Sequence, residues 1–521
     1  MSPLTYIFGL PLLAAGLMVL IPRNFRFLIR LLALLATFAS MVIAVGVFCK
    51  FDNGLAGREF QFQEQLDWVP SLGLGYHVGV DGINLGLIVM GAMVAFAATC
   101  VSRRIARREK EYYILLMLMA GGILGAFASL DLFCFYFFHE LALVPTFIMI
   151  GVWGRGEQKN YAAYQITLYL SIGALLVLIG LLALYLQLPP GGRTFDIATI
   201  TQYFKAHTMN GNAARWIFPM LLFGFGILVS LWPFHTWAPV GYGSAPTATA
   251  MLHAGVIKKF GLYGLIRIAL PLMPDEAQKW IYILAILCLG NILYCGLVAM
   301  RQRNLNLLIG NSSVAHMGFA FLGIASLSTI GITGTVMIMV AHGFLAALTF
   351  ALSGYLADET KTLDMDQMGG LLRRLPFIGT VMIMAMLAGC GLPGFANFPG
   401  EAMVLFGSWS QFAMVSGLAI WGALVIAGVY MLRAIHDIWH GEKQWLEISD
   451  APNLWRKLPY GLLLASLLLL GCFPRLLTDG IEMSVVPVVR MASGMRLVPP
   501  PKPKVHEHAP RLRQPSETPT P

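Results

Sequence analysis

Long apolar stretches, separated by short polar or Gly/Pro-rich joints, run through almost the whole chain. With about 20 residues as the length of a bilayer-crossing helix, the pattern predicts fourteen segments. Their cores are 3–22, 27–48, 78–100, 112–130, 132–153, 161–187, 215–238, 246–270, 279–300, 307–325, 330–356, 375–409, 412–435 and 458–474. The stretches are continuous and do not alternate with a period of two, so they predict helices and argue against a β-barrel. The expected fold class is therefore an all-α polytopic membrane protein. The first segment begins at Pro3 with no basic stretch before it, and it reads as a retained helix instead of a cleaved signal peptide.

Two segments carry breakers. Pro233 interrupts the seventh within LVSLWPFHTW, and Pro393 and Pro399 interrupt the twelfth within GCGLPGFANFPGE. Proline removes a backbone hydrogen bond and kinks or breaks a helix. A packing kink would account for either one alone. Two breaks in matching places, beside titratable residues, point instead to an ion site between two repeats over segments 4–8 and 9–13.

Composition agrees with a membrane location: 57% of residues are hydrophobic, 12% are charged, and the mean hydropathy is +0.72. The net charge of +9 comes from loop residues and a basic tail, so it does not indicate nucleic acid. The loops after odd-numbered segments hold most of the basic residues, including Arg103, Arg104, Arg107, Arg108, Arg373 and Arg374. Those loops are expected on the cytoplasmic side, with both termini outside. The seven cysteines are scattered through apolar segments without C-x-x-C spacing, which excludes a metal, iron–sulfur or disulfide framework. There is no Walker motif and no strand-linked G-x-G-x-x-G, so nucleotide binding by this chain is not expected.

The few charges inside the apolar segments carry the candidate chemistry. Glu140 is the only Asp, Glu, Lys or Arg from Leu132 to Gly154. Lys258 and Lys259 are the only ones between Arg215 and Arg267, and Glu401 the only one between Arg374 and Arg433. His316 and His342 are, with Tyr355, the only titratable groups between Arg303 and Asp358. A charge in hydrocarbon costs roughly 2.5–3.5 kcal/mol on insertion scales, so such residues usually line an ion path or relay protons. Glu140, Lys259, His316, His342 and Glu401 are the expected relay stations. Adjacent helix positions point about 100° apart, so Lys258 and Lys259 face different neighbours. Lys258, His253 and His235 are auxiliary candidates; His253 could equally be a relay or a satisfied packing residue.

The strings FFHELALVP, PFHTWAPVGYGSAPTATAMLHAGVIKKFGLYGLIR, NSSVAHMGF, MVAHGFLAAL, MDQMGGL and GLPGFANFPGEAMVLFGS occur in that order. Together they make residues 75–440 resemble the antiporter-like membrane subunits of proton-translocating NADH-quinone oxidoreductase, respiratory complex I, of the chain M (chain 4) type. The resemblance implies fourteen helices with two inverted five-helix repeats and broken seventh and twelfth helices. The expected division is helices 1–3 over 1–110, a proton-channel core over 111–440, a last helix with flanks over 441–498, and a tail over 499–521 whose Pro-rich, polar composition cannot bury apolar area and predicts disorder. The resemblance places the family's relay on Glu140, Lys259, His316, His342 and Glu401. It further implies a bacterial inner-membrane location and partners that include sister antiporter-like chains and the lipid bilayer. NADH, FMN, iron–sulfur clusters and quinone would be held by other subunits, and no cofactor by this chain. A multi-subunit cation/proton antiporter and a membrane-bound hydrogenase-type complex are the alternative assemblies. One departure stands out: the lysine that the family carries on its broken seventh helix, paired with the fifth-helix Glu, is Leu228 in this chain.

Overall fold

The computed structural model describes residues 1–57, 59–441, 445 and 448–493. The expected tail over 499–521 lies outside the described residues. The chain opens with helices α1 (Pro3–Leu20) and α2 (Arg26–Lys50), then strands β1 (Gln61–Val69) and β2 (Leu74–Val80). Helices α3 (Gly82–Val101), α4 (Glu109–Ala128), α5 (Leu132–Trp153) and α6 (Lys159–Leu186) follow, and then α7 (Ile197–Ala206), α8 (Gly211–Val229) and α9 (Trp237–Ser244). Next come α10 (Thr247–Leu252), α11 (Lys259–Gly264) and α12 (Leu270–Leu272), joined by π-helical turns over His253–Ile257 and Leu265–Ala269. A further π turn, Gly290–Cys295, links α13 (Pro274–Leu289) to α14 (Gly296–Arg301). The chain then forms α15 (Leu305–Ala325), α16 (Thr329–Thr360), α17 (Pro376–Gly389) and α18 (Asn397–Trp421), and π turn Gly422–Ala427 leads into α19 (Gly428–Trp439). It ends with α20 (Leu454–Cys472) and α21 (Arg475–Ala492).

Among the described residues 12 helices are long and apolar enough to cross a membrane, with Pro274–Arg301 and Asn397–Trp439 each one continuous helix. The expected eighth segment is α10 to α12, interrupted twice by π turns, and the expected twelfth is α17, at 14 residues, followed by α18. The separation expected between segments twelve and thirteen is a kink at Phe412 (φ −134°, ψ 51°). Hydrocarbon offers backbone groups no partners, so helices satisfy their own hydrogen bonds while apolar side chains face outward. Exposed Leu168, Ile172, Leu175 and Leu182 give α6 such a face. By contrast α16, 32 residues long, is buried along nearly its whole length and forms the centre of the bundle, against α3, α15, α18, α20 and α21.

Three features depart from the expected all-α bundle. An antiparallel hairpin, β1 with β2, precedes α3. A second helix follows α20 in the region expected to hold only the last crossing: α21 buries Leu477, Ile481, Val485 and Val488 on one side. It presses against the start of α3, where a Cβ on Gly82 would lie 1.9 Å from the Gly480 carbonyl oxygen, and Ser484 accepts a hydrogen bond from the Gly82 amide at 2.9 Å. Finally Arg267, near the end of the expected eighth segment, is buried; its guanidinium donates to Asp81 Oδ1 at 2.6 Å and lies over the rings of Tyr263 and Phe60.

The hairpin is tied to the bundle end outside the spans. His77 on β2 bonds Asp196, the N-cap of α7, and Asp196 also accepts from the Thr199 amide and hydroxyl at 2.7 and 2.6 Å. Burial alone would raise the Asp196 carboxyl, but the bonds from His77 and Thr199 outweigh it and hold the group below the usual carboxylate range. A lowered folded-state pKa means that the stabilisation is present above the unfolded carboxylate value and is lost as pH falls through the folded one. Asp196→Asn is expected to cost about 1–3 kcal/mol and to flatten the acid limb of stability. Thermal unfolding of the solubilised protein as a function of pH checks this; an unchanged acid limb would count against the clamp.

Candidate proton pathway

Local sequence decides where each station sits. Asp131 caps α5 by accepting from the amides of Phe133 and Cys134 at 2.9 and 3.0 Å, and Glu140 follows about two turns later. At the first break Ser230 is left-handed (φ 78°) and ends α8. The side chain of Asn291 receives the freed chain: it accepts from the Trp232 amide at 2.8 Å and donates to the carbonyls of Ser230 at 2.8 Å and Val314 at 3.2 Å. At the second break Gly391 (φ 68°) and Gly394 (φ 97°) take backbone conformations open to glycine. A Cβ on Gly391 would lie 2.6 Å from Glu401 Oε2, so this glycine also leaves room for the carboxylate.

Four of the five expected stations form one line. The fully buried Lys259 donates to the Ala254 carbonyl at 2.7 Å and its Nζ lies 3.0 Å from His342 Nδ1. The Ala254 carbonyl that accepts from Lys259 lies in the π turn His253–Ile257. The His342 and His316 rings are 5.5 Å apart between centroids, and His316 Nδ1 is 3.2 Å from Glu401 Oε1. His316 Nε2 is buried with no hydrogen-bond partner. A narrow cavity lined by His316, Phe319, Glu401 and Tyr430 lies at this end. Imidazole both donates and accepts, so these four side chains are of the chemical types that can pass a proton along the line.

The other candidates lie apart from this line. Glu140 is not deeply buried: its side chain is 30% exposed on this chain, beside the exposed Phe133 and Phe137. Lys258 turns away from Lys259 as the 100° rule requires; its Nζ donates to Ser313 Oγ at 3.0 Å and sits 5.5 Å from the Tyr242 ring centroid. His253 packs against Trp237 and Tyr242 at 5.5 Å from each ring, and His235 lies edge-on to Tyr294 at 5.7 Å; Nδ1 of both is buried and unpartnered. One residue escaped sequence reasoning. His139 Nδ1 is 3.3 Å from Glu140 Oε1, and its ring stacks on Phe260, the residue after Lys259, at 3.8 Å. The only signal in the sequence was the His-Glu dipeptide inside an apolar run, and neighbours in a helix are not paired by its periodicity.

These features define a polytopic membrane protein with a contiguous line of titratable side chains in its interior. Residues 129–428 match the family described as NADH:quinone oxidoreductase/Mrp antiporter, TM, and the chain belongs to that family. The NAD(P)H-quinone oxidoreductase chain 4 of Microcystis aeruginosa is 32% identical across 86% of this chain and 81% of its own length. The NADH-quinone oxidoreductase subunit M of Rhodobacter capsulatus is 31% identical across 94% of this chain and 96% of its own. A chain of respiratory complex I from Thermus thermophilus with bound NADH superposes with a TM-score of 0.84 at 27% identity, covering 94% of this chain and 99% of that one. A chain of the Mrp complex from Dietzia sp. shares the fold, with a TM-score of 0.80 at 18% identity over 95% of this chain and 98% of that one.

Proposed function

We propose that this chain is a proton-translocating membrane-arm subunit of NADH-quinone oxidoreductase, of the subunit M (chain 4) type. The observation that carries the reading is the contact line Lys259–His342···His316–Glu401, four titratable groups in the apolar interior where structural use of charge is costly. The chain moves protons, while electron transfer and the NADH, FMN, iron–sulfur clusters and quinone that it needs belong to other subunits. Its neighbours in the membrane are sister antiporter-like chains. The segment from α10 to α12, and α17 joined across the second break to the first part of α18, complete fourteen crossings in two inverted repeats, with both termini on the outer side of a bacterial inner membrane.

The test is proton uptake by vesicles containing the assembled complex, purified through a tag on this chain, with NADH as the driving substrate. Uptake is expected, and Glu140→Gln is expected to lower the protons taken up per NADH oxidised. A preparation that oxidises no NADH would favour the cation/proton antiporter reading, which the description of the matching family also names.

A further inference from the structure

Glu140 needs a cation if it is to stay ionised at the edge of the bundle. A lone carboxylate in hydrocarbon is costly, and 30% of this one is uncovered on the chain. The neighbouring helices offer little. The charged side chains of α4, α6 and α8 lie in their first two turns: Glu109, Lys110 and Glu111, Lys159, and Arg215. Leu228, near the end of α8, is apolar, and the Lys258 ammonium is committed to Ser313. Among the described residues, the basic side chain that forms an ion pair with Glu140 is His139.

The imidazole is not placed there loosely. Its side chain is 2% exposed, and its ring lies nearly parallel to Phe260, at 20° and 3.8 Å. Phe260 in turn stacks on Phe135 at 4.1 Å, one turn before His139 on the same helix. The sandwich fixes the ring plane and keeps the Nδ1 edge on the carboxylate. Phe260 follows Lys259 in the chain but points to a different neighbour, so the stack holds His139 apart from the Lys259 ammonium, which bonds His342.

We propose that His139 is the cationic partner of Glu140 and that the two form one proton-exchanging unit, separate from the Lys259 line. The unit holds its proton on imidazole Nδ1, as an ion pair, or on the carboxyl, as a neutral pair. Exchange between the two needs no movement of the chain. Tyr136 on α5, whose hydroxyl hydrogen-bonds Glu140, and His253, which lies near His139, are the other titratable groups facing this unit, while Lys258 and Lys259 turn to Ser313 and His342. What the unit does in the pathway rests on the function proposed above; the charge pairing itself does not.

Dicyclohexylcarbodiimide, a lipophilic reagent, modifies carboxyl groups in their protonated form and so reads the pairing without any pumping. Its rate of attachment to Glu140 would be measured by mass spectrometry of the α5 peptide after treating membranes at neutral pH, with the assembled complex quantified on native gels. His139→Gln is expected to speed labelling about tenfold, because the carboxylate loses the neighbouring cation that favours its ionised form. His139→Lys, which retains a cation, is expected to label no faster than wild type. Labelling unchanged by His139→Gln, or accelerated equally by both substitutions, would overturn the pairing. If His139→Gln does not assemble, His139→Lys decides alone: labelling faster than wild type overturns the pairing. Because the readout is covalent labelling, it separates this failure from a failure of NADH-driven uptake.

Discussion

Lys259→Met is expected to reduce NADH-driven proton uptake to less than about a tenth of the wild-type value per NADH oxidised, the scale of losing a group that must carry the proton. The methionine fills nearly the same buried volume, so the packing of α11 against α8 survives. The Nζ contacts with His342 Nδ1 and the Ala254 carbonyl disappear. Leaving these partners unsatisfied costs about 1–3 kcal/mol, a cost that assembly can absorb. Lys259→Arg sharpens the point. Arginine keeps the charge and the donors but does not give up its proton in a protein, so uptake should fail again although the electrostatics are retained. Uptake in proteoliposomes normalised to NADH oxidation is the measurement. Normal pumping by Lys259→Arg would show that Lys259 acts through its field and not as a proton carrier.

The largest structural effect is expected at Arg267. Removing one member of a buried ion pair leaves the other charge without compensation, which costs about 3–5 kcal/mol. Here the orphan would be Asp81, which caps α3 by accepting from the amides of Ile83 and Asn84, while Asn84 donates onward to the carbonyls of Gly79 and Phe127. Arg267→Met should therefore loosen the segment from α10 to α12 and the start of α3 together, and the assembled complex should be scarce. Adding Asp81→Asn should recover part of the loss, since an amide keeps the cap and removes the stranded charge. The yield and thermal midpoint of the complex carrying each single and the double substitution measure this. Strictly additive losses would show that the two residues are not coupled.

The bundle was legible because hydrocarbon imposes a length and a composition on every crossing, and because a charge within such a run is conspicuous. That logic found Lys259, His342, His316 and Glu401, which the fold brings into one line. It placed the breaks near Pro233 and Pro393, although the backbone reversals fall on Ser230, Gly391 and Gly394. It could not find the pairing of His139 with Glu140, which depends on side chains bending along one edge of α5 instead of on spacing. The short strands β1 and β2 were hidden because alternation over seven to nine residues is faint between long apolar runs. Helix α21 lacks the all-round apolarity of a crossing and shows only a one-sided stripe. The buried pairing of Arg267 was hidden because charge alone does not reveal that Asp81 meets it inside the fold.

One neutral side chain holds the first break in place. The Asn291 amide joins the broken end of α8, the π turn after α13 and the middle of α15 through three hydrogen bonds. A carboxylate or an ammonium could hold the same backbone groups, but its grip would loosen or tighten with every change of its own charge. An amide neither gains nor loses a proton over the pH range in which carboxylates, imidazoles and lysines exchange theirs. The frame around the Lys259 line can therefore keep its shape while charge passes a few residues away, so the stations titrate and their scaffold does not.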